Sequence, residues 1–194
     1  MTRAASNVLI DHLSGERTRA KDALWIVGFA LLTALMAQVE VRFPFTPVPL
    51  TGQTFAVLLS GAVLGSRRGF ASQLLYLSAG AAGLPVFSGG AGSILHLVGP
   101  TGGYLWSFPV AAGLLGWLVE RGAARRAWTL APALFSADLL ILVCGALWLR
   151  GLFEFPARQA WVLGFYPFLI GDVVKVALVG VSLPRVLRHY ERKP

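Results

Sequence analysis

Residues 84–104 read LPVFSGGAGSILHLVGPTGGY, six glycines and two prolines in 21 positions, with long apolar runs on both sides. Glycine loosens the backbone and proline removes an N–H donor, so this stretch does not form one regular helix. What it is depends on what flanks it. The chain of 194 residues is 56% hydrophobic and only 13% charged, against about 25% charged in an ordinary soluble domain. A mean hydropathy of +0.67 and repeated apolar runs mark an integral membrane protein with one helical domain. The stretch is then an irregular break between two spans.

Six hydrophobic segments can be cut from the chain: Ala23–Val41, Thr51–Ser66, Gly69–Gly83, Gly103–Val119, Trp128–Leu149 and Pro167–Leu187. The expected fold is all-α, a six-helix transmembrane bundle with long ordered outer loops. Residues 1–22 form a polar cytoplasmic lead-in rather than a cleaved signal, residues 23–187 the membrane domain, and residues 188–194 a basic cytoplasmic tail. The second and third spans are short and separated by little more than Ser66-Arg67-Arg68, a tight turn. A five-span count, with one of the two lying in the interface, competes; it puts the termini on opposite sides.

The net charge of +8 invites a nucleic-acid reading, which its distribution opposes. Six spans place both termini on one side, together with Arg3, Arg17, Arg19, Lys21, Arg67, Arg68, Arg121, Arg125, Arg126, Arg185, Arg188, Arg192 and Lys193. Only Arg42, Arg150 and Arg158 fall opposite. Thirteen against three is a positive-inside bias with cytoplasmic termini. The implied setting is a bacterial or archaeal cytoplasmic membrane, and the same cations suit an anionic lipid surface.

This topology puts the opening stretch on the outer face. RFPFTPVPL (42–50) and RGLFEFPARQAWVLGFY (150–166) share that face. Irregular backbone at membrane depth is tolerated only where protein buries it or a cavity lines it. The three connections are either a cap over a solute cavity or ordinary surface loops. Polar residues in the spans sharpen the choice. Pro167 suits a helix start, and Asp172 and Lys175 follow at i,i+3 on one face. Intramembrane charges usually face a cavity or a partner. The pair either neutralises itself or offers an acceptor and a donor to a ligand carrying both N–H and C=O groups. Gln53 points its amide into the same pocket or caps span two. Asp138 is a second acid, readable as interhelical glue.

Several chemistries are absent. There is no GxxxxGK[ST], and Gly90-Ala91-Gly92 fails GxGxxG. His12, His96 and His189 are scattered and Cys144 is alone, so neither a metal nor a disulfide is expected. No serine sits in GxSxG. The chain is expected not to be an enzyme and to carry no cofactor. A transporter lacking a nucleotide site uses an ion gradient or borrows an ATPase. Ala30 and Ala34 form AxxxA, and Gly61 and Gly65 form GxxxG. Such spacings let helices approach closely, inside the bundle or against a partner.

The ordered set PVPLTGQT, Gly61–Gly69, YLSAGAAGLPVF from Tyr76, GPTGGY from Gly99 and PFLIGDVVK from Pro167 resembles the BioY family. That family comprises the biotin-specific substrate-binding (S) components of energy-coupling-factor transporters, and the likeness runs from about Ala23 to Leu187. The resemblance implies high-affinity biotin binding from outside, and association with a transmembrane coupling protein and two ATPases. It implies that Asp172 and Lys175 contact the ureido ring and that Ala30 and Ala34 meet the coupling protein. The family often carries Asn shortly after PVF; here Ser88-Gly89-Gly90 stands there, so Ser88 or a backbone group is expected to replace it. Phe87, Tyr104 and Trp148 are candidates for apolar packing on the ligand. The alternative function is a self-sufficient secondary carrier for biotin or a related small solute.

Overall fold

The structure, a computed structural model, describes residues 8–13 and 18–191. Arg3, Arg17, Arg192, Lys193 and the side chains of His12, Arg188 and His189 lie outside the described residues.

After the short helix α1 (Leu9–Leu13), α2 spans Arg19–Ala37. It begins four residues before the expected span. Thr18 has extended backbone and its hydroxyl accepts the Lys21 N–H at 3.3 Å, the N-cap bond that makes the polar first turn helical. At the other end the chain leaves the helix to pair β1 (Glu40–Val41) antiparallel with β2 (Leu50–Thr51). Helices α3 (Gln53–Leu64) and α4 (Ser66–Ala81) follow. The expected turn at Ser66-Arg67-Arg68 is instead the first turn of α4, and Gly65 alone makes the reversal at φ +81°, a conformation that favours glycine.

The glycine-rich stretch is ordered but not one helix. It holds a 3₁₀ turn at Ser88–Gly90 and the short helix α5 (Ile94–Val98), capped by Ser93, whose hydroxyl accepts the Leu95 N–H. Then come α6 (Gly102–Glu120), α7 (Ala127–Phe153), α8 (Ala157–Gly164) and α9 (Tyr166–Glu191). Helix α7 overruns its expected end at Leu149 and stops at Glu154, which is left-handed at φ 54°. Most of the connection expected over 150–166 is thus helical.

The six helices α2, α3, α4, α6, α7 and α9 form the bundle. By length and composition Arg19–Ala37, Gly102–Glu120, Ala127–Phe153 and Ala157–Arg185 can each cross a membrane. The shorter α3 is surrounded by protein: nine of its twelve residues are buried. Helix α6 lies between α3, α4 and α7, and small residues bring the backbones together. A Cβ on Gly61 would sit 2.4 Å from the Ala112 carbonyl oxygen, and one on Gly116 2.3 Å from the Gly65 carbonyl carbon. The GxxxG glycines therefore serve internal packing, the close-approach role expected where lipid removes the hydrophobic drive between helices. Polar groups add glue. Gln73 Nε2 donates to Thr33 Oγ1 and Ser60 Oγ, each at 3.1 Å, joining α4 to α2 and α3 in a fully buried network.

At the end opposite the β-hairpin, part of the polar lead-in belongs to the folded body. Val8, Leu9 and Ile10 are buried, and Arg68 pairs with Asp11 at 2.8 Å and Asp22 at 3.0 Å. Val8-Leu9-Ile10 is a run too short, between polar neighbours, to register in a hydropathy reading. Around the bundle, Leu31, Leu35, Ile170, Val173 and Leu178 face outward, as a lipid-facing surface requires.

Candidate binding cavity

The first residues of α3 and the first three turns of α9 meet α6 near the β-hairpin end. Thr51 Oγ1 accepts the Gln53 N–H at 3.3 Å. The backbone start of α3 is thereby satisfied by Thr51, and the Gln53 side chain lines a cavity instead. Asp172 and Lys175, one turn apart on α9, line the same cavity. Lys175 Nζ donates to Asp172 Oδ1 at 2.8 Å and to Thr54 Oγ1 at 2.6 Å, and the Thr54 hydroxyl lies 3.3 Å from Asp172 Oδ1. Asp172 Oδ2 is buried and has no hydrogen-bond partner among the described residues. A buried carboxylate oxygen left this way is costly and stands ready for an N–H from a ligand.

The rest of the lining is mostly apolar: Val48, Leu50, Phe87, Tyr104, Phe108, Leu142 and Phe168. Tyr104 meets Phe168 edge-on at 5.9 Å, and its hydroxyl donates to the Gly164 carbonyl. An apolar slot with few converging polar groups is the usual form of a small-molecule site. The cavity is tight, about 50 Å³, space for a few waters. Among the described residues no group of three His, Cys, Asp or Glu side chains is placed to hold a metal.

Of the residues anticipated from sequence, Gln53, Phe87, Ser88, Tyr104, Asp172 and Lys175 come together in this lining. Gly89, Gly90 and Trp148 do not. Trp148 stands behind the wall: its Cβ would lie 2.2 Å from a Cβ on Gly103, and its Nε1 donates to the Gly99 carbonyl at 2.9 Å. It shapes the α5–α6 connection rather than the cavity surface. Gly89 and Gly90 form the turn behind Ser88, both at φ 69°. Ala30 and Ala34 differ from their expected setting too. Ala30 is 7% exposed within the bundle core, and Ala34 is half-buried at the edge of that core. Asp138 on α7 is buried, outside the cavity lining, with Oδ1 unpartnered among the described residues. Thr54 was missed. Its signal was a second polar side chain directly after Gln53 at the start of an apolar helix.

A multi-pass α-helical membrane protein, with a mostly apolar cavity at its loop end reaching a buried Lys–Asp–Thr cluster, is the class that fold and site define. Comparison with known proteins makes this more particular. The sequence profile of the BioY family matches residues 7–192, and the chain belongs to that family. A probable biotin transporter BioY of Pyrococcus horikoshii is 39% identical over 168 residues, 87% of this chain and 97% of that protein. Biotin transporter BioY2 of Lactococcus lactis is 39% identical, covering 84% of this chain and 89% of that one. Biotin transporter BioY of Thermotoga maritima is 37% identical, covering 83% and 96%. In fold, the chain matches a crystal structure of the S-component for biotin from an ECF-type ABC transporter. The TM-score is 0.82 over 89% of this chain and 95% of that one, at 22% identity.

Proposed function

We propose that this protein is the membrane-embedded, high-affinity biotin-binding component of a vitamin uptake transporter. The observation that carries the reading is the cluster of Asp172, Lys175 and Thr54 at the cavity floor, with one carboxylate oxygen unpartnered. Biotin carries a ureido C=O flanked by two N–H groups on an apolar bicycle. Lys175 donates to the ureido oxygen, Asp172 Oδ2 accepts a ureido N–H, and Phe87, Tyr104 and Phe168 pack on the ring system. The named BioY relatives, which this chain matches over most of its length, support the choice of biotin.

The protein sits in the cytoplasmic membrane with both termini inside, supported by the positive-inside count. Energy comes from a transmembrane coupling protein and two ATPases, since the sequence holds no nucleotide-binding motif of its own. With Ala30 turned into the core, the α2 surface open to that partner is the opposite face, around Gly28 and Leu31.

Calorimetry with biotin, desthiobiotin and lipoate tests the reading. Biotin binds, desthiobiotin binds more weakly, and lipoate, which has no ureido group, does not bind. Absence of biotin binding overturns the reading. Uptake in vesicles lacking any ATPase, collapsing with the ion gradient, supports instead a self-sufficient secondary carrier.

A further inference from the structure

Gln38 ends α2, and its side-chain amide is committed to three backbone groups. Nε2 donates to the Ala34 carbonyl at 3.1 Å and to the Phe87 carbonyl at 3.1 Å, while Oε1 accepts the Gly90 N–H at 3.0 Å. Both amide hydrogens are thereby used. The Phe87 and Gly90 groups bracket the Ser88–Gly90 turn, whose base is closed by the Phe87 N–H donating to the Ala91 carbonyl at 2.8 Å. The Phe87 carbonyl and the Gly90 N–H lie beside the end of α2. One side chain from another helix takes them.

The turn matters because its first residues are cavity wall. The Phe87 ring is 1% exposed and fits a notch at Gly80, where a Cβ would lie 2.1 Å from the ring. It meets Tyr76 edge-on at 5.5 Å and stacks on His96 at 5.7 Å. Phe87, Ser88 and His96 all line the cavity. Ring packing fixes this wall from below, and the Gln38 amide fixes its backbone from α2. Without the amide the ring keeps its notch, but the turn above it loses its two ties to the helix.

We propose that Gln38 is a positioning residue for the cavity: a latch on the last turn of α2 that holds the Phe87–Gly90 wall closed and sets how fast a bound ligand leaves. The proposal rests on the reading that the cavity takes biotin. It also means that α2 both presents an outward apolar face and ties the wall's backbone, so a displacement of its end moves the wall.

The test compares full-length wild type with Gln38→Leu and Gln38→Glu. Biotin association and dissociation are followed by stopped flow, melting without ligand by thermal shift, and amide exchange over 84–92 by mass spectrometry. Gln38→Leu is expected to speed dissociation about tenfold, equivalent to about 1.4 kcal/mol, with association changed less than dissociation, as is usual for mutants of one interface. Exchange at the turn quickens. Gln38→Glu keeps the acceptor for Gly90 and loses the donation to Phe87, so it falls between. A lower melting temperature with unchanged dissociation and exchange overturns the latch, leaving Gln38 a helix terminator only. If wild type does not bind biotin, the functional reading fails, and the exchange comparison still decides the latch.

Discussion

The Lys175 ammonium lies 2.6 Å from the Thr54 hydroxyl, a contact between residues 121 apart in the chain. It ties the start of α3 to the third turn of α9 across the cavity floor. The same ammonium holds Asp172 Oδ1 at 2.8 Å. Lysine here is therefore fixed by two oxygens on two helices, and the carboxylate keeps one oxygen for something else.

Replacements at this cluster separate ligand recognition from self-neutralisation. Asp172→Asn and Lys175→Met are each expected to weaken biotin binding about ten- to a hundredfold, since a hydrogen bond to a charged group contributes roughly 1.5–3 kcal/mol. The double mutant, freed of an unpaired buried charge, is expected to melt near wild type but still bind poorly. Thr54→Val should cost binding less than either charge removal. Titration calorimetry with thermal melts reads all four; a double mutant with wild-type affinity removes the pair from the site.

The close approach of α3 to α6 is expected to be intolerant of one methyl group. Gly61→Ala places a Cβ 2.4 Å from the Ala112 carbonyl oxygen, where only backbone movement relieves the clash. Overpacking of this kind costs roughly 1–3 kcal/mol, read as a melting temperature several degrees lower in detergent. Gly28→Ala, with nothing within 4 Å of the added Cβ, is the control and should melt like wild type or slightly higher.

Much of this was legible in the sequence, and the reasons are local. Periodic apolar runs and the side-to-side arginine count mark spans and turns, because both follow from transfer energies that act residue by residue. Asp172 and Lys175 were legible because an i,i+3 charge pair in an apolar helix has few uses. Thr54 was not, since its role depends on a lysine brought from another helix. Trp148 was misjudged because an aromatic near a glycine-rich loop packs equally well behind the wall as on its surface. Ala30 and Ala34 show the same ambiguity: small residues four apart mark a close approach without saying to which helix. The segment at Val8–Ile10 is too short to raise a hydropathy window, and only its partner Arg68 reveals it.

Arg68 is expected to pin the N-terminal segment to the bundle. Its side chain is 14% exposed and pairs with Asp11 and Asp22, and the buried pair with Asp11 is less screened by salt than a surface pair. Arg68→Gln should make the segment around 8–17 cleave faster in limited proteolysis, with biotin affinity unchanged because the cavity lies at the opposite end. Equal cleavage rates would show that the apolar contacts of Val8, Leu9 and Ile10 suffice.

Sidedness follows from the basic turns. Single cysteines at Arg125 and Glu154, in a Cys144→Ala background, are expected to react with an impermeant maleimide from opposite sides of intact cells or oriented vesicles. Arg125 should react only from the cytoplasmic side. Labelling of both from outside would sink the six-span arrangement.

The single-residue reversal at Gly65 also bears on the lipid around the protein. With no loop residues to spare, α3 and α4 rise only about 18 and 24 Å along their axes, against a hydrocarbon layer about 30 Å thick. Protein covers α3, but α4 turns Phe70, Leu74 and Leu75 outward. A span this short is accommodated by local thinning of the bilayer, by snorkelling of flanking residues or by a neighbouring protein, and the demand falls on the α4 flank rather than around the whole molecule. Mismatch costs fractions of a kcal/mol per ångström, enough to make the protein more stable in short-chain than in long-chain bilayers and to gather thin-membrane lipids beside α4.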